Sequence, residues 1–364
     1  MRHQIDRSAD TAGTRVRVLH LTLLLMFPAP TFAATFNVDV ETDSVDANPG
    51  DGQCADAKGA CSLRAAIMES NALPGADEAA LPAGHFTLSI AGVAENNGAS
   101  GDLDVTDDLS LHGESSEASI IDGGALDRVL DLRAAAGRMI DLSNLALVNG
   151  NIPDASSGDG SAGAGLRVGT GVHLAMHAVD VRDNHAHQFG GAAGIDNFGC
   201  ILGDHVRVTG NTDPATTGSM NALAGGIAMN GTDLCLELDD SEISDNSGDF
   251  AGALALETPS SITLRRTLIA NNTARFAGGI DISHAGDVRL ENVTMSGNAG
   301  NPGALLNDGG ARVFFVNSTI TGNHGAQGLS GALADVHGGF GLTFLTNTIL
   351  AGNGPSPSSP DCER

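Results

Sequence analysis

Four residues stand out as a possible catalytic set: His177, Asp204, Asp239 and Arg265, each seven residues ahead of an asparagine (Asn184, Asn211, Asn246 and Asn272). Stacked one above another about 5 Å apart, two carboxylates can share a proton or a cation, with an arginine beside them as base or electrostatic partner. The same column also reads as a ladder of unlike charges that satisfies neighbouring strands, because Glu291 continues the alternation after Asp239 and Arg265.

A second set is His173, His177, His185 and His187, imidazoles on a strand and on the turn that follows it. They could hold a transition metal, but histidines of a polar turn are the expected reading. A third is Asp43, Asp46, Asn48 and Asp51 in TDSVDANPGDG, oxygen ligands at short spacing with glycine, which suit Ca²⁺. They do not follow the EF-hand pattern and also read as solvated turns. No Gly-x-Ser-x-Gly, phosphate loop, His-Glu-x-x-His or dinucleotide fingerprint occurs, so a nucleophilic or cofactor-dependent enzyme has no support.

These residues owe their equivalence to a repeat. LALVNGN, AVDVRDN, HVRVTGN, DSEISDN, RTLIANN, NVTMSGN, NSTITGN and NTILAGN end at Asn151, Asn184, Asn211, Asn246, Asn272, Asn298, Asn323 and Asn353. Between them recur GLRV, GIDN, GIAM, GALAL, GGIDI, GALL and GALA. Each unit offers short strands broken by Gly, Asn and Asp turns, with no helical stretch. One unit cannot bury its own apolar side, so the units must stack at about 4.8 Å per layer with parallel pairing. Spacings of 25 to 35 residues are short for propeller blades of about 40 to 45. The expected fold is all-β, a right-handed parallel β-helix (solenoid), with the asparagines in one structural column. In the same register Asp240 meets Arg266, Asp249 meets Arg275, and Phe250 meets Phe276.

Ahead of the coils, Ser62 is a good N-cap for a short helix from about Leu63 to Asn71, placed to cover the open end of the stack. Cys54 and Cys61 bracket an acidic loop before that helix and are expected to pair. Cys200 and Cys235 each lie 11 residues before a column asparagine, so stacking brings their Cα atoms within disulfide range. Cys362 has no evident partner.

Arginines followed by VLHLTLLLMF and PAPTFA read as a signal peptide over residues 1–33, too short to span a bilayer. The expected organisation is then a cap region over 34–80, the β-helix over 81–353 and a tail over 354–364, in an exported chain with no transmembrane segment. The net charge of −26, with one lysine in 364 residues, argues against nucleic acid and anionic lipid as partners. A glycan or another cell-surface ligand is the expected partner class.

CSLRAAI, after FNVDVETDSVDANPGDGQC, resembles the N-terminal region of the CSLREA-type secreted bacterial proteins. LPAGHFTLSI, SIIDGGALDRVLDL and the NSTITGN repeats resemble the β-helix that follows there, a pattern shared with pectin-lyase-like and polymorphic outer-membrane proteins. Ala65 stands where that family has Glu, so the capping box is missing. The resemblance implies location and fold: an exported, outer-membrane-associated or extracellular β-helix. The function expected of it is binding, adhesion or scaffolding. The alternative it carries is a pectin-lyase-like polysaccharide lyase or hydrolase working on the His177–Arg265 column. The absence of Trp and Tyr, on which sugar rings commonly stack, weighs against that alternative.

Overall fold

The computed structural model describes residues 33–363, except 93–94, 153–162, 187–190, 214–222, 232–233, 259, 285, 326–329, 336–340 and 355–360. The signal-like segment and His187 lie outside these residues, as do the side chain of Cys362 and most of the expected tail.

Every paired strand is parallel, and the described strands form a 19-stranded sheet, a 10-stranded sheet and two short ones. The chain winds as a β-helix. In the large sheet Leu174, Ile201, Leu236, Ile262, Val288 and Val313 stack inward as strand partners. In the ten-stranded sheet Leu166, Ile195, Ile227, Leu254, Ile280 and Leu305 do the same. All twelve are essentially without solvent exposure. A period of two turns alternate residues inward, and stacking then buries each aliphatic column without any helix.

The large sheet bends once per coil, at a residue in the left-handed conformation: Asn144, Ala178, His205, Asp240, Arg266, Asn292, Asn317 and Asn347, with φ from 45° to 56°. Asn and Asp tolerate this region because their short polar side chains bond locally. A second left-handed residue, Asp183, Gly210, Asp245, Asn271, Gly297, Gly322 or Gly352, precedes each ladder asparagine. That explains why the repeat ends in Asp-Asn, Asn-Asn or Gly-Asn.

The asparagine column is buried and fully bonded. Oδ1 of Asn246 accepts from the backbone N–H and from Nδ2 of Asn211 at 3.0 and 2.9 Å, while its own Nδ2 donates to Val208 O and Asn272 Oδ1. The pattern runs from Asn184 to Asn353, whose N–H ends on Asp361 Oδ1. The first coil of the asparagine repeat departs from the expected register. Gly150, not Asn151, donates to Asn184 Oδ1, and Asn151 pairs with His185 one step further on. The left-handed turn at Asn149 makes the next residue the ladder position. At the far end, Cys362–Glu363 pairs with Leu333–Ala334, so the last described residues rejoin the ten-stranded sheet.

The only helix among the described residues, α1 (Leu63–Ala72), starts at Ser62, whose hydroxyl accepts from Ala65 N–H. It sits over the first coils, with Leu63, Ala66 and Ile67 in the apolar core. Two contacts fasten it. Glu69 accepts from Gly50 and Gly52 N–H. Arg64, 1% exposed, uses both sides of its guanidinium: Asp43 on one, and the carbonyls of Gly98, Gly101 and Asp102 on the other. Cys54 and Cys61 are disulfide-bonded beside it (Cα–Cα 5.1 Å), and so are Cys200 and Cys235 in adjacent coils (4.5 Å).

Candidate functional site

The left-handed corner sets out an exposed polar surface. Within a strand, adjacent side chains face opposite ways; at the corner the alternation breaks, and the residue before the bend and the residue at the bend both reach solvent. Two neighbouring outward columns result: His177–Asp204–Asp239–Arg265, in register as expected, and Ala178–His205–Asp240–Arg266 beside it.

Contacts cross between these columns. Asp204 bridges two imidazoles, with His177 Nδ1 3.0 Å from Oδ2 and His205 Nδ1 3.0 Å from Oδ1. The two rings meet edge to face, centroids 5.9 Å apart. The hydrogen bond from His205, joined by that from His177, holds the Asp204 carboxyl below the ordinary range. Asp239 does not pair with its strand partner Arg265. Its contact is with Arg266, which also grips Asp240 through Nε at 2.8 Å and Nη2 at 3.0 Å. That grip holds Asp240 below its usual range. Arg265 instead reaches Glu237 at 3.5 Å and Glu291 at 3.6 Å. The expected Arg275–Asp249 pair forms at 3.2 Å, and Phe250 stacks on Phe276 with centroids 5.0 Å apart.

In the proposed calcium segment the carboxylates turn to backbone N–H groups and Arg64 rather than to a common centre. Asp43 is taken by Arg64 and the N–H groups of Ser89 and Ile90. Asp46 closes a turn onto Asn48 and Ala55, and Asp51 accepts from Gln53. In the second histidine set, His185 Nδ1 lies against Thr212 Oγ1 at 2.5 Å.

A second polar cluster lies buried near the cap. Arg128 Nη1 donates to Asp102 Oδ2 and Asp131 Oδ2, both at 2.9 Å; Arg167 and Arg133 add bonds to Asp131 at 2.9 and 3.2 Å. Asp104, completely buried, accepts from Gly98 N–H through Oδ2, and its Oδ1 has no hydrogen-bond partner among the described residues. Burial pushes Asp102 up to about 6, against the pull of Arg128. Burial, together with the charge of Asp102, pushes Asp104 up to about 7. Along the same sheet, burial alone raises Asp196 to about 7; burial reinforced by Asp308 and Glu257 raises Asp281 to about 8. At neutrality such values leave Asp281 mostly protonated, Asp104 and Asp196 about half protonated, and Asp102 largely ionised.

The family model of the right handed beta helix region matches residues 159–349, more than half of the chain. The chain belongs to this family. No curated protein and no solved structure matches it.

Within the beta helix, the buried acids share one sequence address that the asparagine register does not expose. Asp104, Asp131, Asp196 and Asp281 are each the middle residue of a three-residue strand in the ten-stranded sheet, a position that the half-buried Arg167 shares. A charged residue in the middle of a short strand, flanked by aliphatic residues in Asp104, Asp131 and Asp281, reads from sequence as an exposed position, and the four acids are buried. His205 was missed for a related reason: alternation assigns it the side opposite Asp204, and only the left-handed corner brings it round.

Proposed function

We propose that the protein is an exported β-helix that works by binding, as an adhesive or scaffolding surface, with the exported location in keeping with its CSLREA-type N-terminal resemblance. The observation that carries this reading is the mismatch between accessibility and acid strength. On the exposed corner, Asp204 and Asp240 are held ionised by His205 and Arg266, so neither supplies a proton to a leaving group. The carboxyls raised furthest, Asp102, Asp104, Asp196 and Asp281, are at most 5% exposed and out of reach of a polymer. A glycosidase needs both properties in one place. Two disulfides support residence in an oxidising compartment. No helix among the described residues is long and apolar enough to cross a membrane. The net charge of −26 favours a neutral or cationic ligand, such as an uncharged glycan or a basic surface, over nucleic acid.

A glycan array run beside a polysaccharide-cleavage screen tests this. Retention of a glycan or surface ligand without turnover is expected. Turnover of any polysaccharide that disappears in Asp239→Asn or Arg265→Ala, with the fold intact, would establish the enzyme reading instead. Cell fractionation should find the chain outside the cytoplasm, and its recovery there in reduced form would remove the export argument.

A further inference from the structure

We infer that His177, Asp204 and His205 form a surface site for a late first-row transition-metal dication, with Zn²⁺ as the working probe. Two imidazole nitrogens and a carboxylate oxygen here lie within 4.8 Å of one another. The set is assembled by backbone rather than by chance rotamers: strand pairing places His177 beside Asp204, and the left-handed bend at His205 (φ 54°) turns the third ligand to the same side. All three remain accessible, with side chains 58%, 47% and 60% exposed.

The donor chemistry selects the ion. Two nitrogens with one oxygen suit Zn²⁺, Ni²⁺ or Cu²⁺, whereas Ca²⁺ and Mg²⁺ require an oxygen shell. Three protein ligands leave coordination positions for water or for a donor group on a bound partner. The surroundings favour a cation further. Asp239 follows Asp204 in its column and Asp240 lies close enough to interact with His205, although Arg266 draws on both. The buried group Asp102, Asp104 and Asp131 also brings three carboxylates together. Arg128, Arg133 and Arg167 already supply its positive charge, so it is the poorer cation site.

The inference is independent of adhesion: a metal site on this corner stands whether the protein binds glycans or not. Isothermal titration of the protein with ZnCl₂ should show a saturable equivalent that CaCl₂ does not compete for. Affinity for that equivalent should fall at least tenfold in His177→Ala, His205→Ala and Asp204→Ala, and stay unchanged in His173→Ala. Absence of saturable Zn²⁺ uptake, or full affinity in any one of the three variants, would overturn the assignment. A readout on the unsubstituted protein avoids dependence on variant folding: Zn²⁺ should perturb the imidazole resonances of His177 and His205 before those of other histidines. Prior perturbation of any other pair would equally refute it.

Discussion

Replacing Arg64 by methionine keeps most of the buried side-chain volume and removes five polar contacts at once. Nε and Nη2 hold the two oxygens of Asp43 at 2.6 and 3.2 Å, and Nη1 and Nη2 reach Gly98 O, Asp102 O and Gly101 O at 2.8 to 3.0 Å. Arg64 and Asp43 side chains are 0% and 2% exposed. Breaking a buried ion pair from one side costs about 3–5 kcal/mol, mainly because the remaining charge stays buried. The freed carbonyls add to that where water cannot reach them. Since α1 and the first coils share these bonds, the loss should appear as local opening of residues 43–105, measured by hydrogen exchange, with urea unfolding for the whole chain.

The pH dependence makes the prediction specific. Burial raises the Asp43 carboxyl, but the Arg64 hydrogen bond and charge, with the Ser89 and Ile90 N–H groups, leave it below 3.8. A carboxyl depressed in the folded state contributes stability above its unfolded value, and that contribution is lost as pH falls through the folded value. Without Arg64, burial dominates and the folded value should rise. Asp43 then takes up a proton in the variant, and the gap between variant and parent should shrink from pH 7 toward pH 3. A penalty below about 1 kcal/mol at pH 7, or one that does not change with pH, would refute the reasoning. Arg64→Lys, which keeps the charge and loses the planar fork, should fall between the two.

Asn246→Ala leaves the N–H and Nδ2 of Asn211 and the carbonyl of Val208 without their partner. At about 1 kcal/mol or more for each buried polar group, urea titration should show a loss of about 2–4 kcal/mol. Cys200→Ser with Cys235→Ser opens a crosslink spanning 35 residues, worth up to about 4 kcal/mol in the chain-entropy model. Non-reducing peptide mapping of the parent should find Cys200–Cys235 and Cys54–Cys61, and a crossed linkage would contradict the register. Asp281, raised to about 8 chiefly by burial, should cost stability progressively as pH climbs from about 4 to 8, because the unfolded chain has already lost the proton there. Asp281→Asn should flatten that stretch of the pH–stability curve and raise the thermal midpoint at pH 8; an unchanged curve would show that Asp281 does not titrate in this way.

The sequence by itself determines which residues share a column. In a parallel stack the repeat period maps directly onto strand partners, so the 35-residue spacing that relates Asn211 to Asn246 also sets Cys200 against Cys235 and Asp204 against Asp239. Ser62 as helix cap and the Asp240–Arg266 pair were legible on the same grounds, being local or column-bound. Who touches whom across columns was decided only by the tertiary structure. Asp239 meets Arg266 rather than Arg265, and His205 joins Asp204, because a left-handed corner overrides strand alternation and long side chains choose among several partners within reach. The first coil of the asparagine repeat slips by one, from Asn151 to Gly150, because its left-handed turn sits at Asn149. Burial was hidden as well. Arg64 and the acids of the ten-stranded sheet carry the sequence signature of solvent-facing residues, and only packing places them where a charge must find a partner or give up its ionisation.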